Sequence, residues 1–215
     1  FSIEIFFINF TNLGHLLHLI IDWFNFWKFK IIMKYLKIIL IFFLFLLNKT
    51  TFAKENIVEI LKKEDSIIFI RHAFAPWNGD PPNFDILDCS TQRNLSKDGE
   101  LQALKIGEFF EKNDIKVSKI LSSEWCRCKD TAKIAFGNYE TKNFLNSFYD
   151  ERFSENKDKQ ILDFQKFIQN WDQSGNLVLV THYVVISEIL DLATSSGEIV
   201  ITDPNLKFLS SLEIN

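Results

Sequence analysis

An α/β fold, a three-layer αβα sandwich with a mostly parallel central sheet, is what the sequence predicts for residues 54–215. Three observations carry the prediction. Short apolar runs of strand length, Ile67–Ile70 and Leu177–Val180 foremost, alternate with stretches whose apolar residues fall three and four apart. Those runs are apolar at every position rather than every second one, the pattern of strands covered on both faces. No internal repeat or low-complexity linker interrupts the alternation, so a single domain is expected.

In order along the chain, Ile57–Lys63 reads as a short helix and Ser66–Ile70 as the first strand. Arg71–Asn94 is a long irregular stretch holding Pro76, Pro81 and Pro82; loops of that length are functional or disordered. Ser96 opens a helix whose face is Leu101, Leu104, Ile106, Phe109 and Phe110. Val117–Leu121 is a strand, and Glu124–Ala135 a helix closed by Gly137. A short strand is expected near Tyr139–Phe144 and an amphipathic helix over Asp158–Trp171. Leu177–Val180 is a buried strand, Tyr183–Leu192 a helix, and Glu198–Thr202 and Leu206–Leu212 close the chain as β-rich segments.

The composition of the 215 residues hides a split. Residues 1–53 hold 35 apolar residues, and their five lysines outnumber Glu4 and Asp22 for a net charge of +3. The chain total of −4 leaves −7 for the remainder. The aliphatic and aromatic content excludes a disordered chain, and three cysteines at this length exclude a disulfide-dense miniprotein. An acidic domain with scattered lysines excludes a nucleic-acid surface.

Met33, the only methionine, is followed by Lys34, Lys37, ten uninterrupted apolar residues from Ile38 to Leu47, and Thr51-Phe52-Ala53. That is the three-part layout of a secretory signal, with cleavage expected after Ala53. The sequence thus divides into residues 1–32, a non-physiological N-terminal extension; 33–53, a signal peptide; and 54–215, the folded domain. A membrane anchor that is never cut is the alternative for 33–53, although ten to fourteen apolar residues is short for a span of ~20. A first membrane helix through Ile3–Phe29 is the alternative for 1–32, against the cost of Asn12, His15, His18 and Asp22 in a bilayer. Export to the periplasm or exterior is the expectation, with membrane contact only through an uncleaved leader.

Two of the four histidines, His72 and His182, lie in the folded domain, and both directly follow apolar strands. In open α/β sheets ligands bind at the carboxyl ends of strands, so the two converge on one site. Arg71 adjoins His72. Arg127 follows the strand Val117–Leu121 and falls in the first turns of the next helix. Taken singly, each would pass as a capping histidine or a solvated arginine. Together two arginines and two histidines beside helix N-termini make an anion site, because guanidinium forks match phosphate oxygens. Cys126 and Cys128 are one residue apart, the wrong spacing for a zinc knuckle, and no metal or other cofactor is expected.

These segments resemble the histidine phosphatase superfamily, the phosphoglycerate mutase-like fold. Arg71-His72-Ala73 is similar to its Arg-His-Gly motif, with alanine in the place of glycine. Ser122-Ser123, Arg127 and Thr131-Ala132 match its second motif without a gap. Arg93-Asn94-Leu95-Ser96 with Gly99, Gln102 and Ala103 resembles its helix start, and Val178–His182 its final strand and histidine. The likeness runs from about Ser66 to Leu192. It implies that His72 is the nucleophile forming a phosphohistidine, with Arg71, Arg127 and His182 holding the phosphate oxygens. It also implies that Asn78, seven residues after Arg71, touches phosphate. Phe148–Phe153 is similar to the segment holding the family's acid, which makes Asp150 the proton donor, with Glu151 as runner-up and Asp80 or Asp85 next. Tyr183 stands where another branch of the family has its acid.

Cys89, Cys126 and Cys128 flank the expected site. In an oxidising compartment Cys89 can pair with either of the other two, or all three stay free. The expected function is an exported phosphatase acting on a small phosphomonoester or related phosphate. A phosphomutase of the same fold and a non-catalytic phosphate-binding module are the alternatives.

Overall fold

The computed structural model describes residues 57–172 and 174–214 and, nearer the N-terminus, Trp23, Trp27, Lys28, Lys30 and residues 33–40. The chain divides into two compact units, Phe1–Ala53 and Lys54–Asn215. In the first, residues 33–40 are helical and the Trp23 and Trp27 rings lie 5.8 Å apart. Among the described residues no helix is long and apolar enough to cross a membrane. The rest of the expected signal, 41–53, and nearly all of 1–32 lie outside the described residues.

In the second unit a short helix, α1 (residues 57–61), precedes β1 (Ile67–Arg71). Then follow α2 (Lys97–Lys112), β2 (Lys119–Ser122), α3 (Cys126–Phe136), β3 (Glu140–Thr141), α4 (Glu151–Ser154), α5 (Lys157–Gln169), β4 (Leu177–Thr181), α6 (Tyr183–Leu190), β5 (Ile199–Thr202) and β6 (Phe208–Leu212). The six strands form one sheet in the order β3-β2-β4-β1-β5-β6. β3, β2, β4 and β1 run parallel; at one edge β5 pairs antiparallel with β1, and β6 antiparallel with β5.

Alternate residues of the central strands feed two cores. Ile68, Ile70, Val178, Val180, Ile199 and Ile201 face α1, α2 and α3, where Leu61, Ile106, Phe109, Phe110 and Ala132 meet them. Ile67, Phe69, Leu177, Leu179 and Val200 face the other side, against Phe144, Leu145, Phe164 and Ile186. This two-sided burial is why the runs are apolar throughout, and it produces the expected three layers.

Most predicted boundaries hold within a few residues. The strand expected over Tyr139–Phe144 is only Glu140–Thr141, because Asn143–Leu145 turns into a 3₁₀ helix that plugs Phe144 and Leu145 into the second core. α6 stops at Leu190 because Asp191 takes a left-handed backbone conformation, φ 54°.

α2 is fixed at its start by Ser96, whose hydroxyl accepts from the Gly99 N–H. A Cβ on Gly99 would overlap the Phe74 carbonyl, to which Ser96 N–H also donates. Gln102 accepts from the Phe74 N–H and donates to the carbonyls of Ser196 and Ile214. The Ser-Gly-Gln pattern at this helix start therefore ties the chain leaving β1 to the end of the domain.

Candidate active site

β4 lies between β1 and β2, so the carboxyl ends of three adjacent parallel strands deliver the site residues. The ladder runs on past the strands: His72 N–H donates to the Thr181 carbonyl, and Ser123 N–H to the Val180 carbonyl, both at 2.9 Å. His72, Arg127 and His182 are all buried, at 2–3% exposure. The two imidazoles meet edge-on with centroids 5.5 Å apart. A cavity of 220 Å³ is lined by both histidines, by Arg71, Arg93 and Arg127, and by Asn78, Asp80 and Asp150.

Hydrogen bonds fix both ring tautomers. His72 Nδ1 lies 2.8 Å from the Ala73 carbonyl oxygen, which only accepts, so Nδ1 carries the proton and Nε2 keeps a free lone pair. Arg127 NH2, which only donates, lies 3.5 Å from His182 Nδ1. His182 Nε2–H therefore donates to Ser123 Oγ at 2.9 Å, and Ser123 Oγ–H donates to Asn146 Oδ1. Burial, and after it the charge of Arg127, holds both imidazoles well below the usual histidine range.

The second motif explains itself through Thr131. Its hydroxyl donates to the Arg127 carbonyl at 2.7 Å and accepts from the Ala73 N–H at 3.0 Å, coupling the turn after His72 to the helix of Arg127. Ala73 is fully buried and is not among the residues of positive φ, so the turn does not need the glycine.

Three arginines surround the cavity. Arg71 NH1 donates to the Thr194 carbonyl at 2.6 Å, and its guanidinium lies over the Tyr183 ring. Arg93 NH1 donates to the carbonyls of Ala75 and Trp77, and burial lowers its pKa to about 10, which leaves it charged. Arg127 pairs with Asp80, NH1 to Oδ1 at 2.9 Å and NH2 to Oδ2 at 3.2 Å. Each of the three leaves a buried Nε–H without a partner. Orphaned buried donors are costly, and three around one cavity point to an anion.

Every residue the sequence assigns to the site lines this cavity, apart from the alternative acids Glu151 and Asp85. Asp150 does so as the N-cap of α4, paired with Arg152 through two side-chain hydrogen bonds of 3.0 and 2.8 Å. Those bonds hold its pKa at about 2. A carboxyl so held is a carboxylate near neutral pH, a poor state for a proton donor. Exposed Glu151 begins α4 and lies off the cavity.

Sequence reasoning places Arg93 only in a helix start, and Asp80 only as a fallback acid. Both come from the proline-rich loop, where no periodicity reports which side chains turn inward. The one available signal is the arginine that closes that loop. A disulfide joins Cys89 of the loop to Cys126 of α3, with Cα atoms 5.7 Å apart. Cys128 is free and buried, and burial pushes its thiol up to about 12.

At the carboxyl ends of the strands, then, lies a cationic cavity beside a neutral imidazole, in an α/β fold. The model of the histidine phosphatase superfamily (branch 1) matches residues 67–157. The fold of the domain is phosphoglycerate mutase-like. TTHB049 from Thermus thermophilus superposes at 16% identity with a TM-score of 0.50, over 68% of this chain and 98% of that one. A point variant of that protein gives 17%, 0.52, 70% and 99%. SixA from Agrobacterium tumefaciens gives 16%, 0.48, 70% and 99%. No curated protein matches the chain.

Proposed function

We propose that the protein is a phosphatase that hydrolyses a small phosphomonoester, or a related phosphate, through a phosphohistidine on His72. The observation that carries this reading is the pairing of a free Nε2 lone pair with three converging arginines in one cavity. Phosphoryl transfer asks mainly for positioning and for cations against the equatorial oxygens. In this reading Arg71 and Arg127 hold those oxygens, Arg93 adds the third guanidinium, Asn78 supplies a polar contact at the rim, and His182, the fourth residue of the expected set, acts through Arg127, to which its Nδ1 lone pair is turned. The Ser123–Asn146 chain fixes His182 in that orientation by taking its Nε2–H. The steps need no metal ion.

The reading includes export. The leader from Met33 and the Cys89–Cys126 disulfide support it, because disulfides persist in oxidising compartments. Export favours a phosphatase over a mutase, whose sugar-phosphate substrates are intracellular.

Nitrophenyl phosphate separates catalysis from binding alone. The proposal expects many equivalents of nitrophenol per protein molecule at steady state. Release that never exceeds one equivalent would leave a phosphate-binding module.

A further inference from the structure

Two carboxylates line the cavity, and they are locked in different ways. Asp150 is held by Arg152, a residue that does not line the cavity, so an arriving phosphoryl group takes none of its partners. Asp80 is held from inside. Its Oδ1 accepts from Arg127 NH1 at 2.9 Å and the Arg93 N–H at 3.0 Å; its Oδ2 accepts from Arg127 NH1 and NH2 at 3.2 Å and Trp125 Nε1 at 3.1 Å. Three of those five bonds come from Arg127, the fork that a phosphoryl group would take. The Asp80 side chain is 8% exposed, so it has no solvent to retreat into while it stays in place.

We propose that Asp80 occupies the Arg127 fork in the free enzyme, yields it to the phosphoryl group, and carries the proton between substrate and leaving oxygen. The inference rests on the phosphatase reading above. One planar guanidinium cannot serve a carboxylate and a phosphoryl group in the same bidentate way. Once the phosphoryl group takes it, Asp80 stands beside an anion, and two like charges at that range cannot both stay ionised. The proton of the ester monoanion passes to Asp80, while the phosphoryl oxygens settle on the arginines as a dianion.

The chemistry then balances. The His72 Nε2 lone pair forms the N–P bond, the ester P–O bond breaks, and the Asp80 carboxyl gives its proton to the departing oxygen. In the second step water adds to phosphorus, its proton goes to the Asp80 carboxylate, and the N–P bond breaks with its electron pair returning to Nε2. Phosphate leaves as the monoanion with that proton, and Asp80 returns to Arg127. Asp150 acts through another residue. It fixes Arg152, whose guanidinium donates to the carbonyls of Asp80, Pro81 and Pro82 and so sets the height of the Asp80 loop.

The test compares an alkyl phosphate with nitrophenyl phosphate on the full chain. A proton donor matters when the leaving oxygen is basic and little when it leaves unaided. In Asp80→Asn the ratio of alkyl to nitrophenyl turnover should fall ~10²–10⁴-fold. Asp80→Glu, which keeps a titratable proton, should recover part of that ratio, and Asp150→Asn, which disturbs the donor only through Arg152, should lower it less than tenfold. Inorganic phosphate, titrated calorimetrically, should bind Asp80→Asn about tenfold more tightly or better, because the resident competitor has lost its charge. An unchanged ratio in Asp80→Asn, or an alkyl-selective defect in Asp150→Asn as large as that in Asp80→Asn, would overturn the donor assignment. Unchanged phosphate affinity would overturn the competition for the fork. If the wild type turned over neither ester, the phosphatase reading would fail by itself, and the calorimetry would still decide whether Asp80 competes.

Discussion

His72 and His182 carry no charge in the folded protein, and that single condition governs both chemistry and stability. A protonated His72 has no lone pair at Nε2; the arginines that would bind phosphate also keep it neutral. The same neutrality makes stability depend on pH. Below the unfolded histidine value of about 6.5 the unfolded chain takes up protons at both positions while the folded chain does not. Stability is therefore full above that value and falls as pH drops through it, with a slope approaching two protons per molecule. The depressed carboxyls Asp80 and Asp150 contribute in another window, their stabilisation being lost only below the ordinary aspartate range. Urea midpoints measured between pH 7.5 and 5 should decline in the wild type. They should flatten in His72→Asn combined with His182→Asn. A flat wild-type profile would mean that the rings are protonated in place.

At the scale of elements, the site is three strand ends, one helix start and one loop, and the loop is fastened by Cys89–Cys126. Closing a segment of sequence separation 37 restricts the unfolded chain, a stabilisation of about 4 kcal/mol on the chain-entropy estimate. Cys89→Ser should lower the thermal midpoint accordingly, and should raise KM more than it lowers kcat, because the loop carries Asp80 and Arg93. An unchanged KM would show that the loop holds its place without the bond. Strands and helices were legible because Ile67–Ile70 and Leu177–Val180 are buried on both faces and so apolar throughout. Their carboxyl ends located both histidines. The reversed direction of β5 was not legible, since an apolar run such as Ile199–Thr202 reads the same in either direction. Nor was the inward turn of Asp80. That depends on the return path of an irregular loop, which only its hydrogen bonds to Arg127, Trp125 and Arg152 reveal.

For the whole molecule, a parallel sheet gathers histidines and arginines at one edge. The cavity there is small, 220 Å³, and the charged groups around it are three arginines and two aspartates, which suits one phosphoryl group. In the proposed reaction this group rests on His72 Nε2 during turnover. The most direct measurement mixes the protein with a phosphate ester, quenches it in alkaline denaturant during turnover, and locates the bound phosphate by peptide mass spectrometry. Phosphate is expected on the peptide containing Arg71-His72, stable to alkali, lost in acid, and absent from His72→Ala. Phosphate on a serine or cysteine, or undiminished turnover by His72→Ala, would contradict it.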